Sequence, residues 1–343
     1  MTEAITMPTI IARGVLLEPD AVRILDRRVF PLSTEYVTCR NHEEVAVAIE
    51  QMVTQSGGPF FAASGGFVLA ARAAAQLPPA DRKGFLLSAG QRLIRTRPTN
   101  NSIRDVIGRL LGEADRIDDC ADLGGRIESL VRQLWRDQHE KNRALGVNAS
   151  SMVVDGDTIL THCWAESSLV EMLAAAVRAG KKVKVICTET RPYLQGARLT
   201  AHSVAEMGID VTVITDNMAA HAMDRGMVTK FMAAADRVTL SGHVINKVGT
   251  HQLAIAAHSF GIPFVAMVRA PDPKAPGPQD VVMEERDGEE SLHCLGIRTA
   301  SPLAKGWYPA FDVTPPRFVS AVATSVGVFP PVMLNHHFGP SAT

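Results

Sequence analysis

The sequence predicts an α/β protein: a mostly helical N-terminal domain, then a Rossmann-like, doubly wound parallel-sheet domain. From Ser151 onward, short apolar runs at 158–162, 183–187, 211–215, 230–235 and 262–267 alternate with helical stretches at 167–179, 197–207, 218–226 and 249–260. Gly180, Gly208 and Gly261 each fall where a helix should turn back into a strand. Before Ser151 the apolar spacing is helical, as at Ile127, Leu130, Val131, Leu134 and Trp135.

The elements follow in order. The apolar runs at 10–17 and 22–31 predict a hairpin or a few edge strands. A helix is expected over 42–52, broken by Gly57-Gly58-Pro59. Small and apolar residues from Phe60 to Ala75, with Gly65 and Gly66 among them, predict a closely packed buried helix. Further helices are expected at 81–95, 103–111 and 121–145, the last ended by Gly146 as a C-cap. The domain boundaries implied are 1–112, a connecting helix at 113–146, 147–330, and a loosely ordered tail at 331–343. Ala270 to Gln279 holds four prolines and predicts a loop, in the position of a lid or an oligomer contact.

Composition narrows the function. At 343 residues two domains are the natural expectation, and 46 % hydrophobic with 21 % charged residues is ordinary for a globular chain. The formal net charge is −1 and there is no Lys/Arg run, which argues against nucleic acid or an anionic membrane as partner. Cys39, Cys120, Cys163, Cys187 and Cys294 form no CxxC pair, which suits a reducing, cytoplasmic setting. No signal peptide is expected, and no apolar run reaches the ~18–20 residues that span a bilayer.

The chemistry-bearing residues gather where strands should end. Cys163 follows the first strand and precedes a helix expected to start at Glu166 or Ser167. A helix N-terminus there would lower its thiol pKa; equally, an intracellular cysteine can be a small buried apolar residue. Asp236 ends the strand Phe231–Ala235, where partial desolvation would raise its pKa towards that of a general acid; a cap or a partner for Arg237 is the alternative. Asn246-Lys247 before Gly249-Thr250 would put an amide, an ammonium and backbone donors at a helix start, an anion site or ordinary capping. Arg191 and Gln195 occupy another strand-to-helix loop, with Arg198 one turn on. His251 and His258 lack a third ligand and suit packing better than metal. There is no GxGxxG, Walker loop or GxSxG, so a nicotinamide-dependent oxidoreductase is disfavoured.

Taken together, Asp155-Gly156-Asp157 with Thr161-His162-Cys163, Glu189-Thr190-Arg191-Pro192 with Gln195-Gly196, Ala235-Asp236-Arg237, and Asn246-Lys247-Val248-Gly249-Thr250 resemble one superfamily. It unites methylthioribose-1-phosphate isomerase, ribose-1,5-bisphosphate isomerase and the regulatory subunits of translation initiation factor two-B. The resemblance covers roughly 22–330. It implies Cys163 and Asp236 as the catalytic pair, with Gln195, Asn246, Lys247 and Arg97 (in Thr96-Arg97-Pro98-Thr99) in substrate-binding positions. Leu25-Asp26-Arg27-Arg28 and Pro309-Ala310-Phe311-Asp312-Val313-Thr314-Pro315 are similar to the methylthioribose enzyme. The short stretch after Cys163 and Val244-Ile245-Asn246-Lys247 are similar to the bisphosphate enzyme. The family's Arg-Gly-Ala phosphate loop corresponds to Ser56-Gly57-Gly58 here, without its arginine, and a charge-assisted contact to phosphate is worth about 1.5–3 kcal/mol.

The resemblance therefore implies an aldose–ketose isomerase of a pentose 1-phosphate, needing no metal or organic cofactor and assembling as a dimer or hexamer. Asp236 would protonate the ring oxygen and the Cys163 thiolate would take the proton from C2, with a hydride shift as the other route. The remaining readings are a ribose-1,5-bisphosphate isomerase and a non-catalytic regulatory subunit that senses a sugar phosphate or nucleotide.

Overall fold

The computed structural model describes residues 5–98, 100–116 and 122–339. Thr99, Cys120 and the last four residues of the expected tail lie outside the described residues. The chain forms two compact units, Thr9–Glu140 and Lys141–Thr343, the latter including Met1–Pro8.

The first unit opens with the one-turn α1 (Thr9–Ala12) and a three-stranded antiparallel sheet, β1 (Val15–Leu17), β2 (Val22–Leu25) and β3 (Tyr36–Cys39), with Val15 opposite Ile24 and Val22 opposite Cys39. The helices are α2 (His42–Glu50), α3 (Gly58–Ala74), α4 (Pro79–Arg95), α5 (Asn101–Ala114) and α6 (Leu123–Ser150). The Asn41 and Asn100 side chains accept from the N–H of Glu44 and Ile103, satisfying donors that α2 and α5 cannot use themselves. α3 is buried nearly throughout, with Phe67, Val68 and Ala71 at the centre of the core. Its glycines allow close approach: a Cβ at Gly65 or Gly66 would lie 3.0 Å from Val22 or Val45.

The division between units falls inside α6, which does not end at Gly146 as expected but runs on to Ser150. The reason is packing rather than capping. A Cβ at Gly146 would lie 2.4 Å from the Glu171 Cβ, so glycine lets α6 pass against the next helix.

That helix is α7 (Glu166–Arg178), the first crossover of the second unit. The strands are β4 (Thr158–Thr161), β5 (Lys184–Thr188), β6 (Val211–Ile214), β7 (Lys230–Ala234), β8 (Arg237–Val238), β9 (Val244–Lys247) and β10 (Phe264–Met267), with α8 (Ala201–Glu206), α9 (Ala219–Asp224) and α10 (Thr250–Ser259) between them. Beyond β10 come β11 (Glu285–Arg286), β12 (His293–Cys294), β13 (Ile297–Arg298), β14 (Tyr308–Pro309), β15 (Phe311–Thr314), β16 (Ala321–Thr324), β17 (Gly327–Phe329) and α11 (Leu334–Phe338).

The main sheet has the order β17-β16-β10-β7-β4-β5-β6 and is parallel except for β17. Counting from β4, its six parallel strands follow the 3-2-1-4-5-6 order of the doubly wound nucleotide-binding fold. The chain reverses direction between β4 and β7, which places a ligand crevice outside their carboxyl ends. A second sheet, β15-β9-β8, is antiparallel and continues directly from β7. Residues 331–338 are more ordered than expected: Leu334 of α11 is fully buried among Phe264, Val319 and Val322. The proline-rich loop is tied to β8 and the turn after it, through Asp272 N–H to Val238, and Leu240 and Ser241 N–H to Ala275 and Pro276.

Candidate active site

β4 and β7 are hydrogen-bonded neighbours, with Leu160 opposite Phe231. Cys163 lies just past the end of β4, and Asp236 just past the end of β7. Two residues 73 apart in sequence are thus brought to the two sides of the sheet's switch point.

Cys163 is held in a backbone conformation that side chains seldom adopt, with φ +62°. Glu166 at the start of α7, and Thr190 and Leu194 in the loop after β5, share that left-handed region. Thr190 is β-branched, for which this is a marked strain, and such strain persists where surrounding bonds over-determine the loop. They do here. The Cys163 N–H donates to Thr190 Oγ1 at 2.9 Å, and Thr200 Oγ1 donates to the Cys163 carbonyl at 2.5 Å. The Asp216 carboxylate accepts from the N–H of Thr190 and of Arg191 at 2.8 and 2.7 Å.

His162, 3 % exposed, ties three loops together. Its Nε2 lies 3.0 Å from the Val248 carbonyl, which can only accept, so the proton sits on Nε2. Its Nδ1 then accepts from Thr188 Oγ1 at 2.6 Å. Burial pushes its pKa down, so the ring is neutral. Gly249 faces this ring: a Cβ there would lie 3.0 Å from His162 Nε2.

The thiol does not behave as its position before a helix suggests. Burial pushes Cys163 up to about 11; Lys247 and the Trp164 N–H oppose this, while Asp236 and Asp216 add to it. α7 starts three residues later, at Glu166, so its free N–H groups do not outweigh desolvation. Asp236 conforms to expectation. Burial pushes its carboxyl up to about 6, with Glu284 adding and Lys247, Arg286 and Arg237 opposing. Asp236 nonetheless keeps an exposed face, and Cys163 is half-buried.

Lys247 is the last residue of β9 and is 6 % exposed. Its Nζ donates to the Tyr308 hydroxyl at 2.8 Å, and burial lowers its pKa against the pull of Cys163, Asp236 and Glu284. Asn246 donates to Thr250 Oγ1 at 3.0 Å. The backbone donors expected to bind an anion at the start of α10 are already engaged. The Asp312 carboxylate accepts from Gly249 N–H at 2.7 Å and from His251 N–H at 3.1 Å. Gln195 is buried and precedes the wide turn Gly196–Thr200 that carries the Thr200 hydroxyl to Cys163.

Ser56, Gly57, Gly58 and Arg97 belong to the first unit. Ser56 has φ +54°, Gly57 caps α3, and Gly58 begins it. Although the loop itself has no arginine, a guanidinium lies beside it. Arg27 donates to the Gln55 carbonyl at 2.7 Å, and a Cβ at Gly58 would lie 2.8 Å from Arg27 Nη2 and 1.9 Å from Thr54 Oγ1. Arg97 contacts the Met52 sulfur.

Residue-by-residue reading missed one wall of the site. Glu284 and Arg286 pair at 2.9 Å, Arg286 lies over the Tyr193 ring at 5.5 Å, and Tyr193 and Tyr308 are 6.3 Å apart. Two of the chain's three tyrosines thus meet here, a clustering visible only once β11 pairs with β14. His251 and His258 both pack on Phe318. Among the described residues no group of three or more His, Cys, Asp or Glu could hold a metal, and no helix is long and apolar enough to cross a membrane.

Residues 61–331 match the family described as Initiation factor 2 subunit family. A methylthioribose-1-phosphate isomerase of Thermotoga neapolitana is 39 % identical over 325 residues, covering 91 % of this chain and 93 % of its own. Among solved structures, 5-methylthioribose 1-phosphate isomerase from Pyrococcus horikoshii superposes with TM-score 0.84 at 29 % identity, covering 95 % of this chain and 94 % of that one. The translation initiation factor eIF-2B subunit delta from A. fulgidus superposes with TM-score 0.83 at 33 % identity, covering 94 % and 98 %.

Proposed function

The chain belongs to the initiation factor 2 subunit family, and from that premise we propose that it is an aldose–ketose isomerase of a pentose 1-phosphate, with methylthioribose 1-phosphate or 5-deoxyribose 1-phosphate as substrate. The observation that carries this reading is the placement of Cys163 and Asp236 on adjacent strand ends at the switch point, both within the field of Lys247.

The reaction needs one proton delivered to the ring oxygen and one removed from carbon. A thiol near 11 and a carboxyl near 6 hold one proton between them at neutral pH, and it rests on sulfur. Moving it to Asp236 creates an acid and a thiolate. Asp236 then protonates the ring oxygen as the C1–O bond breaks, and the Cys163 thiolate takes the proton from C2. The Cys163 thiol returns its proton to C1 of the enediol-type intermediate while the Asp236 carboxylate takes the proton of the C2 hydroxyl, leaving a ketone at C2 and the pair as it began. A hydride shift from C2 to C1 reaches the same product. Either route is favoured by a site that limits water. Gln195, Asn246 and Lys247 are proposed to bind substrate, as are Ser56, Gly57, Gly58 and Arg97 of the first unit on the resemblance alone. Self-association belongs to the same proposal.

The test is incubation with methylthioribose 1-phosphate, 5-deoxyribose 1-phosphate and ribose 1,5-bisphosphate, followed by a ketose assay. No turnover of any of them sinks the reading. The likeness to the A. fulgidus subunit favours a second one, a regulatory subunit binding sugar phosphate or nucleotide without converting it. Co-purification with a different subunit, without ketose formation, would support that reading instead.

A further inference from the structure

We propose that Tyr308 is a positioning residue: its hydroxyl holds the Lys247 ammonium beside the Cys163 sulfur, so that Lys247 serves as the counter-charge of the thiolate. The proposal deepens the isomerase reading and rests on it for its catalytic meaning.

The geometry is built into the backbone. Lys247 ends β9, and β9 pairs with β15 so that Lys247 lies opposite Phe311. Three residues before Phe311, Tyr308 pairs with Arg286 in the β11–β14 ribbon. The link is pinned on both sides: Val248 N–H donates to the Ala310 carbonyl at 3.1 Å, and Ala310 N–H donates to the Glu284 carbonyl at 2.9 Å. The tyrosine is therefore delivered to the lysine by two strand pairings rather than by a free loop.

Lys247 has lost most of its hydration, and its neighbours replace it. An ammonium has three protons and no lone pair, so it is the donor in the 2.8 Å bond to Tyr308 Oη. Nζ also lies 4.9 Å from the Tyr308 ring centre and 5.8 Å from that of Phe311, where ring faces favour a cation. The His162 Nε2 bond to the Val248 carbonyl, 3.0 Å long, draws the residue before Cys163 against the residue after Lys247. Cys163, Asp236, Glu284 and Arg286 all act on the Lys247 charge, and Glu284 is already paired with Arg286. Among the influences on the Cys163 thiol, Lys247 is the foremost that favours the charged form, ahead of the Trp164 N–H. The charge that the sequence assigns to a helix end is supplied here by a buried side chain. Without the hydroxyl, the long lysine side chain has no fixed place for that charge, and a buried point charge acts steeply with distance.

Alkylation of Cys163 by iodoacetamide reads the thiolate directly and needs no substrate. It is followed across the neutral and alkaline range on the Cys163 peptide by mass spectrometry, so that the other four cysteines do not contribute. Tyr308→Phe should slow it about tenfold below the thiol's pKa, equivalent to about one unit of thiol pKa. Lys247→Met should slow it at least as much, and the double variant no further than Lys247→Met alone. A wild-type rate in Tyr308→Phe, or effects that multiply in the double variant, overturns the proposal. Should Tyr308→Phe fail to fold, Lys247→Arg decides. It keeps the charge and should retain most of the rate, whereas equal rates for Lys247→Arg and Lys247→Met overturn the counter-charge.

If no pentose phosphate turns over, the isomerase reading fails while alkylation still decides this one. If one does, Tyr308→Phe should lower kcat with KM nearly unchanged. A raised KM with kcat kept would make Tyr308 a substrate anchor and overturn its positioning role.

Discussion

The N–H of Cys163 is held by the hydroxyl of Thr190 at 2.9 Å, and both residues sit in the left-handed backbone region. This bond joins the loop after β4 to the loop after β5 and fixes the Cys163 backbone. Replacing Thr190 by Val keeps the shape and removes the acceptor. A hydrogen-bonding group left without its partner costs about 1–3 kcal/mol, and urea denaturation should show a loss of that size. Turnover should fall further than stability, because the strained loop can relax. An unchanged urea midpoint would remove Thr190 from this role.

Cys163→Ser and Asp236→Asn should each abolish ketose formation while leaving the fold intact. Serine keeps the volume but ionises far less readily than a thiol, and asparagine keeps the shape without a titrating proton. Circular dichroism controls the fold, and a ketose assay reads the loss. Substantial activity in either variant would dissociate that residue from the chemistry.

The pH profile follows from counting protons. The working pair carries one proton. Below the Asp236 value of about 6 it carries two, and above the Cys163 value of about 11 it carries none. kcat/KM should therefore rise as pH climbs through about 6 and then hold level through the mildly alkaline range. A rate highest in acid and falling through neutrality would contradict this assignment.

The same carboxyl affects stability. Its folded pKa is raised, so between the ordinary carboxylate range and about 6 the native state binds more protons than the unfolded one. Stability from this group is thus lost as pH rises across that window. Asp312, also pushed up to about 6, contributes in the same sense. Asp236→Asn should gain on the wild type when the comparison moves from pH about 4.5 to about 7, by urea midpoint. An equal difference at both pH values would refute it.

Glycine substitutions should divide by position. Gly146→Ala drives a methyl into Glu171 of α7, and overpacking of this kind costs about 1–3 kcal/mol. Gly108→Ala in α5 meets nothing within 4 Å and should stabilise by about 0.4–1 kcal/mol through the entropy of the unfolded chain. Thermal melts of the two variants should move in opposite directions.

Much of this was open to reading along the chain. Five of the six parallel strands announce themselves because each is a short apolar run soon after a turn glycine, and the expected and observed bounds agree within about two residues. Gly146 misled because a glycine late in a helix usually caps it, while here it is spent on contact with α7. Tyr308, Glu284 and Arg286 escaped notice because their segment has no period: β11 and β14 are two residues each and exist only as partners. The thiol's direction is not legible in sequence for a related reason. A helix start can be seen in sequence, but the desolvation that outweighs it depends on what packs around the sulfur.

The sequence by itself determined the alternation of strands and helices, and with it that Cys163 and Asp236 would each close a strand, because apolar periodicity is a local property. Tertiary structure alone decided that β7 lies beside β4, that Asp312 occupies the start of α10, and that Lys247 meets Tyr308. Those pairings join residues distant in the chain. They are selected by the packing of the whole unit, which no local stretch encodes.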